Sequence, residues 1–593
     1  MNIIYGRSGT GKSEYIYNKI KADLSRGINE KIYIITPEQF SFTAEKKLLE
    51  TLDEGATTNV EVLSFERMAY RVIKETYGNS IKNLVGSGKA MIISTLLEEY
   101  QKDLNFLGKN QENIDVILTE ITEFKKHNIS PDILEERIEK IKDNYLKLKL
   151  KDILLIYSKF NERIEDKYVD ENDILSILAK NIKESHLFDN TIIYIDEFAG
   201  FTKQEYLVIK EILDIAKEVY ITVCTDSLKV INSPEADIFY DNKQTIQTLK
   251  TIGEIDKEIY LDTPYRFKNE ELKHLEKNIF DIPYTQYEKN VENIRLTIVK
   301  NEYDEIEYIA KEIINLVRKN NYRYRDIGII TKNLDTYSSL CKAIFNEYDI
   351  PVFIDEKKDI TSDNFIKYVL SILDIFAKNW SYESVFNYLK SGMIKIDRIY
   401  ELEKYCLKWN IKGKKWYEKE WSFEIDDNFI DEQKRIILPL LELKNSLNSL
   451  KTADEISKKL YDYIILNIDI DESKINVESY NLVIDVLDEI VELFRGEKVS
   501  FDTYIRLLKT GISNKELGQI PQTNDKVTVG DINRSKTHKI KALFIIGVND
   551  CVFPSRIDSE GYFNDKDREM LKKEGLEIAK GTIKKMYEEN FNI

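Results

Sequence analysis

The sequence predicts an α/β protein with two parallel-sheet domains, each interrupted by a long helical insertion. Three observations lead there. A glycine-rich loop joins a strand pattern to a helix pattern at the N-terminus. Short apolar runs of strand type stop for about a hundred residues of helical periodicity and then resume. The second half of the chain repeats that plan. At 593 residues the chain exceeds a single core, and 42% hydrophobic content with 36 Tyr and 25 Phe supplies well-packed interiors.

The elements follow in order. NIIYG (Asn2 to Gly6) is strand-like, and KSEYIYNKIKADLSRG closes a helix on Gly27. KIYIITP (Lys31 to Pro37) and NVEVLSF (Asn59 to Phe65) are short apolar runs, as buried parallel strands are. From 86 to 186 Leu, Ile and Tyr recur at three- and four-residue spacings, a helical pattern throughout. Strand patterns resume at TIIYIDEF (Thr191 to Phe198) and VYITVCTD (Val219 to Asp226). The first α/β domain is thus expected over 1–85 and 187–285, with 86–186 inserted. In the second half IRLTIV (Ile294 to Val299), DIGIIT (Asp326 to Thr331), PVFID, KVTVGD and KALFIIGV (Lys541 to Val548) read as strands. EIEYIAKEIINLVRK reads as a helix among them. The second α/β domain is expected over 286–362 and 520–593, around a helical insertion at 363–519. Two split α/β domains are the layout of superfamily-one helicases, with two RecA-like P-loop domains.

GRSGTGKS (Gly6 to Ser13) satisfies every fixed position of G-x-x-x-x-G-K-[ST]. Gly6, Gly9 and Gly11, with Thr10 among them, let backbone N–H groups approach phosphate, and the helix start adds its positive dipole end. Lys12 reaches the β- and γ-phosphates of ATP in such a loop, and Ser13 ligates Mg²⁺. Asp196 and Glu197 in YIDEF end an apolar run; Asp196 suits a Mg²⁺ held through water, and Glu197 suits orientation of the attacking water. Their distance downstream of Lys12 is what a helical insertion creates. In TPYRF (Thr263 to Phe267), Arg266 lies at the domain boundary, from where it can reach the γ-phosphate.

The net charge of −17 argues against a protein that coats nucleic acid non-specifically, but a DNA groove needs only local charge. Lys526 to Lys541 is locally basic at +4 over sixteen residues. WNIKGKKWY (Trp409 to Tyr417) combines basic and aromatic residues, although Trp409 and Trp416 read better as packing residues. Cys224, Cys341, Cys406 and Cys551 are far apart, as are the four histidines, so neither a disulfide framework nor a metal-ligand spacing is visible. No apolar run approaches the roughly 18 residues of a membrane span, and a leader is not expected where Gly6 already belongs to a loop. A cytoplasmic location without membrane contact is the expectation.

VLSFERMAYRVIKETYG, ITPEQFSFTAEKKLL, and VGDINRSKTHKIKALFIIGVNDCVFPS followed by GYFNDKDRE resemble the AddB family along essentially the whole chain. AddB proteins are the second large subunits of AddAB helicase–nucleases, which process broken DNA ends in bacteria. The resemblance implies a helicase-like half with a weak or lost motor, which binds single-stranded DNA and helps recognise Chi while an AddA-type partner drives translocation on DNA ends. It implies that Thr36, Phe40, Ser64 and Phe65 lie along the DNA track, and that Arg534, Ser535 and Lys536 couple DNA to nucleotide.

The chain departs from that pattern in places. CTDSL stands where a motor offers an acid followed by a γ-phosphate-sensing glutamine, and only five residues precede Gly6. The family's C-terminal nuclease domain, with its cysteine-held iron–sulfur cluster and a second arginine finger, is expected to be missing by truncation. The preferred expectation is therefore a subunit that binds ATP–Mg²⁺ and single-stranded DNA, with weak or no ATPase and no nuclease activity of its own. The alternative is a non-catalytic scaffold acting only through protein–protein contacts. A free-standing P-loop kinase does not need the duplicated α/β half.

Overall fold

The computed structural model describes residues 1–52, 59–78, 82–108, 111–165, 167–230, 237–280, 283–356, 360, 363–418, 420–421, 429–468, 476–515, 525–532, 540–550, 552–553 and 562–578. It is an α/β protein with parallel sheets. Its strands are β1 (Asn2–Gly6), β2 (Ile32–Ile35), β3 (Val60–Leu63), β4 (Lys82–Leu84), β5 (Tyr168–Asp170), β6 (Ile192–Ile195), β7 (Glu218–Cys224), β8 (Lys257–Tyr260), β9 (Ile327–Thr331), β10 (Val352–Ile354), β11 (Val527–Asp531) and β12 (Ala542–Ile546).

Six strands form the first sheet in the order β3-β2-β6-β7-β1-β8, every pair parallel. The strands read as unbroken apolar runs because both faces are covered. On one face Ile4, Ile32, Ile34, Val62 and Tyr194 meet Ile16, Tyr17 and Ile20 of α1 (Lys12–Ser25) and Ala44 and Leu48 of α2 (Glu38–Thr51). On the other, Ile3, Tyr33, Ile35, Ile193, Ile195 and Ile221 meet Met68, Ala69 and Val72 of α3 (Phe65–Tyr77) and the helices Ile174–Ser185, Lys203–Ile215 and Tyr240–Ile252. Alternation with period two sends neighbouring residues to opposite cores. The order reverses direction around β6, β7 and β1, which leaves their C-terminal ends together at one edge of the sheet.

The second sheet, β10-β11-β9-β12, is also all parallel. The helices Glu302–Asn320 and Leu334–Glu347 pack on one face through Ile306, Ile309, Ile313, Cys341, Ile344 and Phe345. IRLTIV is not a strand: Leu296 and Ile298 are 88% and 92% exposed, and none of the described strands pairs with this segment. Alternating apolar residues favour a strand only when a partner edge takes up their backbone groups, and here none does.

The short strands β4 and β5 pair with each other on either side of the helices that run from 86 to 164, so those helices leave and re-enter the fold at one point. β5 lies inside the span whose periodicity reads as helical throughout; three residues are too few to carry a period of their own. The helices of both insertions merge into one hydrophobic core. The helix Gly86–Glu99 packs against Phe501–Ser513. A Cβ on Gly511 would stand 2.5 Å from Val486 Cγ1 and 3.2 Å from Met91 Sδ. Arg163–Glu497 (2.6 Å), Arg506–Glu98 and Ser87–Glu489 (2.6 Å) reinforce the seam. Phe563, Leu571 and Leu576, which follow β12 in sequence, also enter this core, and Arg568 pairs with Glu123 at 3.2 Å. Trp416 is fully buried against Trp421 and Phe386, a packing residue as expected; Trp409 is half-buried.

Candidate functional site

β1 delivers Gly6 to the C-terminal edge of the first sheet, and α1 starts at Lys12, so GRSGTGKS spans a strand-to-helix turn. Gly9 and Gly11 adopt φ of 75° and 84°, the left-handed region that a side chain disfavours. A Cβ at Gly6 would fall 2.2 Å from Leu261 O, and one at Gly9 would fall 2.6 Å from Arg266 Cβ. Glycine is therefore required by space as well as by backbone angle. Thr10 is buried and donates its hydroxyl to Arg7 O at 2.9 Å. The Lys12 ammonium donates to Gly6 O and Arg7 O, both at 2.9 Å, so it is folded onto the loop's own carbonyls.

Asp196 follows β6, two strands from β1, and β7 between them supplies Thr222. The Thr222 hydroxyl donates to Asp196 Oδ1 at 2.6 Å, and the Ser13 hydroxyl lies near enough to this carboxylate to lower its pKa. Ser13 and Asp196, far apart in sequence, are thus brought near each other. Asp196 is 3% exposed; burial raises its pKa most, the two hydroxyls oppose that rise, and Glu197 adds to it. A divalent cation would relieve this strain by supplying the missing positive charge. Glu197 itself has φ of 69°, a costly backbone for a non-glycine residue and one concentrated at functional sites. Burial, with the carboxylates of Asp196 and Glu197 beside it, pushes the phenol of Tyr17 on α1 up.

TPYRF rests on the loop. Arg266 N–H donates to Gly9 O at 3.1 Å and Arg266 Nη1 to Ser8 Oγ at 3.1 Å. Arg266 therefore sits within the first α/β unit, against the glycine loop. The neighbouring Tyr265 lies with its ring edge 3.2 Å from where a Gly11 Cβ would stand, yet is 73% exposed. Sequence reasoning missed Tyr265 and Thr222. A tyrosine next to the arginine of TPYRF is a usable signal in the sequence; a threonine within an apolar strand is not.

Thr36, Phe40, Ser64 and Phe65 gather at the same edge, after β2 and β3, but they face inward. Ser64 is buried and accepts from Arg67 N–H at 3.2 Å as the cap of α3, while Phe65 packs on Phe198 with ring centroids 5.4 Å apart. Phe40 is 7% exposed, and the buried Thr36 hydroxyl has no hydrogen-bond partner among the described residues. Arg534, Ser535 and Lys536 lie outside the described residues; at the end of the same basic segment, Lys541 pairs with Asp326 at 2.8 Å. Cys341 and Cys406 are buried in different cores, where burial pushes both thiols up to about 12. Cys551 is outside the described residues.

Residues 3–276 match the family model described as ADDB, N-terminal. Over the whole chain, the B subunit of the ATP-dependent helicase/deoxyribonuclease of Clostridium botulinum (strain Loch Maree / Type A3) is 38% identical and is covered over 55% of its length. The proteins of that description from Clostridium tetani and Clostridium novyi are 39% and 36% identical, with 56% and 55% of their lengths covered. The chain thus spans about half the length of the curated relatives it matches.

Proposed function

The chain belongs to the AddB family, and from that premise we propose that it is the helicase-like part of an AddAB-type helicase–nuclease, binding ATP–Mg²⁺ and single-stranded DNA. In this reading its sheets are the RecA-like pair of a superfamily-one helicase. It joins an AddA-type subunit in the cytoplasm to process double-strand ends and supports Chi recognition and recombinational repair. The observation that carries the nucleotide reading is the loop itself: glycines that a Cβ would clash with, the Lys12 ammonium folded onto the loop's carbonyls, and the buried Asp196 near Ser13.

The residues fit the nucleotide. Gly6, Gly9, Thr10 and Gly11 would cradle the phosphates with backbone N–H groups, and Lys12 would exchange two carbonyl oxygens for phosphate oxygens. Ser13 and Asp196 would hold Mg²⁺, with Thr222 fixing the carboxylate. ATP–Mg²⁺ brings the phosphoanhydride and a Lewis acid. Glu197 would orient water, Arg266 would offset charge developing on the γ-phosphate, and Tyr265 offers a face for the base. The iron–sulfur cluster of the full-length family does not fit Cys341 and Cys406, which are buried, thiol-protonated and in separate cores.

The DNA-binding part of the proposal rests on the family: Thr36, Phe40, Ser64 and Phe65 stand at the sheet edge that carries the phosphate loop but are buried there, and Arg534, Ser535 and Lys536 would supply phosphate contacts. Titration calorimetry with ATP, with and without Mg²⁺, tests the reading. Mg²⁺ should tighten binding to the native chain, and Asp196→Asn should abolish that gain. An equal Mg²⁺ effect in the variant would refute the assignment.

A further inference from the structure

Arg7, a variable position inside the glycine loop, makes more contacts than a spacer residue requires. Its Nε donates to Glu276 Oε1 at 3.0 Å and Oε2 at 3.3 Å. Its Nη2 donates to Glu276 O at 2.8 Å, a carbonyl at the C-terminal end of the helix Glu270–Asn278. The guanidinium also lies 5.0 Å from the ring centroid of Phe239. Both charged side chains are 22% exposed. Helix C-termini collect unpaired carbonyls and partial negative charge, and the planar fork of arginine serves a carboxylate and a carbonyl together, which an ammonium does poorly.

The main chain of this residue has a second role. Arg7 O accepts both the Lys12 ammonium and the Thr10 hydroxyl, each at 2.9 Å. One residue therefore holds the phosphate-facing lysine through its carbonyl and the helix Glu270–Asn278 through its side chain. That helix follows TPYRF directly, and Arg266 is bound to Gly9 and Ser8. The segment 263–278 is thus fastened to the loop at two points, by Arg266 near its start and by Glu276 near its end. Gly6, Gly9 and Gly11 carry no side chains to hold the loop's shape, and ordering a glycine loop on binding costs more than ordering any other.

We propose that Arg7 is a positioning residue of the nucleotide site: through Glu276 it holds segment 263–278 on the glycine loop, so that Arg266 is kept against that loop, where it would meet the γ-phosphate of a bound nucleotide. The inference rests on the nucleotide reading above. It assigns Arg7 no contact with the nucleotide; it acts through Arg266 and the loop. Its loss therefore falls hardest on the ligand that has a γ-phosphate.

The test measures equilibrium binding of ATP–Mg²⁺ and ADP–Mg²⁺ to the full chain and to Arg7→Ala, Arg7→Lys and Glu276→Gln, with melting midpoints taken without nucleotide. Arg7→Ala should weaken ATP roughly tenfold, as loss of a charge-assisted fork does, and ADP by clearly less. Arg7→Lys should recover little of that. Glu276→Gln leaves the helix and Arg7 intact and should narrow the ATP-over-ADP preference in the same direction. If the native chain binds ATP but Arg7→Ala and Glu276→Gln leave the preference unchanged, or weaken both nucleotides equally, the positioning role is wrong. If the native chain binds neither nucleotide, the nucleotide reading falls and this inference with it.

Discussion

Glu120 offers a quantitative test of how the chain after β12 is fastened to the first insertion. It lies on the helix Gln111–Lys126, is 1% exposed, and its Oε2 has no hydrogen-bond partner among the described residues. Burial, then Glu123, pushes its pKa up to about 7, against the opposing pull of Arg568, the Tyr562 N–H and Lys149. Those opposing groups bracket the contact with 562–578. The carboxyl holds its proton more tightly folded than unfolded, so stability falls as pH rises from about 4.5 through about 7, and the full penalty applies above that. At 1.36 kcal/mol per pKa unit, the penalty is ~3 kcal/mol at pH 8.5, as an order of magnitude. Glu120→Gln keeps an acceptor for Tyr562 N–H and removes the charge. Its melting midpoint should match the native chain near pH 5 and exceed it by several degrees at pH 8.5. A difference that stays the same at both pH values would refute the reasoning.

Three further outcomes follow from the same structure. Gly511→Ala should destabilise by about 1–3 kcal/mol, because its Cβ would stand 2.5 Å from the stiff Val486 side chain; an unchanged melting midpoint would mean that the helix packing around Gly511 yields freely. ATP turnover by the purified chain should be slow, since Asp226 in CTDSL pairs with Lys243 at 2.8 Å and the stretch offers no amide side chain to a γ-phosphate; loss of one such donor costs about 10²–10³ in rate, so turnover near ~10 s⁻¹ would contradict this. Single-stranded DNA should bind in a salt-dependent manner despite the net charge of −17, and removing Arg534 and Lys536 together should flatten the log–log slope by roughly 1.4 units; an unaltered slope removes this segment from the DNA track.

The first sheet was legible because buried parallel strands are continuous apolar runs, and its glycine loop because phosphate cradles constrain residue type at fixed spacing. β8 was not legible: among the described strands KEIY is an edge strand paired only with β1, and its largely exposed side chains leave no apolar run to read. IRLTIV erred the other way, since alternation describes a face and cannot report whether an edge is present to receive it. The helical periods of both insertions were plain, yet nothing in a period says which apolar stripe meets which. Their common core, with Gly511 against Val486 and Met91, emerges only in three dimensions. Ser13 and Asp196 were each visible by motif; Thr222, which fixes their geometry, looks like any strand threonine. Ser64 and Phe65 show the limit of position alone, because a helix cap and a core contact already occupy them.

Everything proposed about function passes through GRSGTGKS, so the most direct measurement is calorimetric titration of ATP–Mg²⁺ into the native chain and into Lys12→Ala. The Lys12 ammonium rests on two carbonyls of its own loop, poised to exchange them for phosphate. The native chain should bind one nucleotide saturably, and Lys12→Ala, losing a charge-assisted contact, should bind at least about tenfold more weakly with an unchanged melting midpoint. Equal affinity in the two proteins, or no binding to the native chain, would contradict the account.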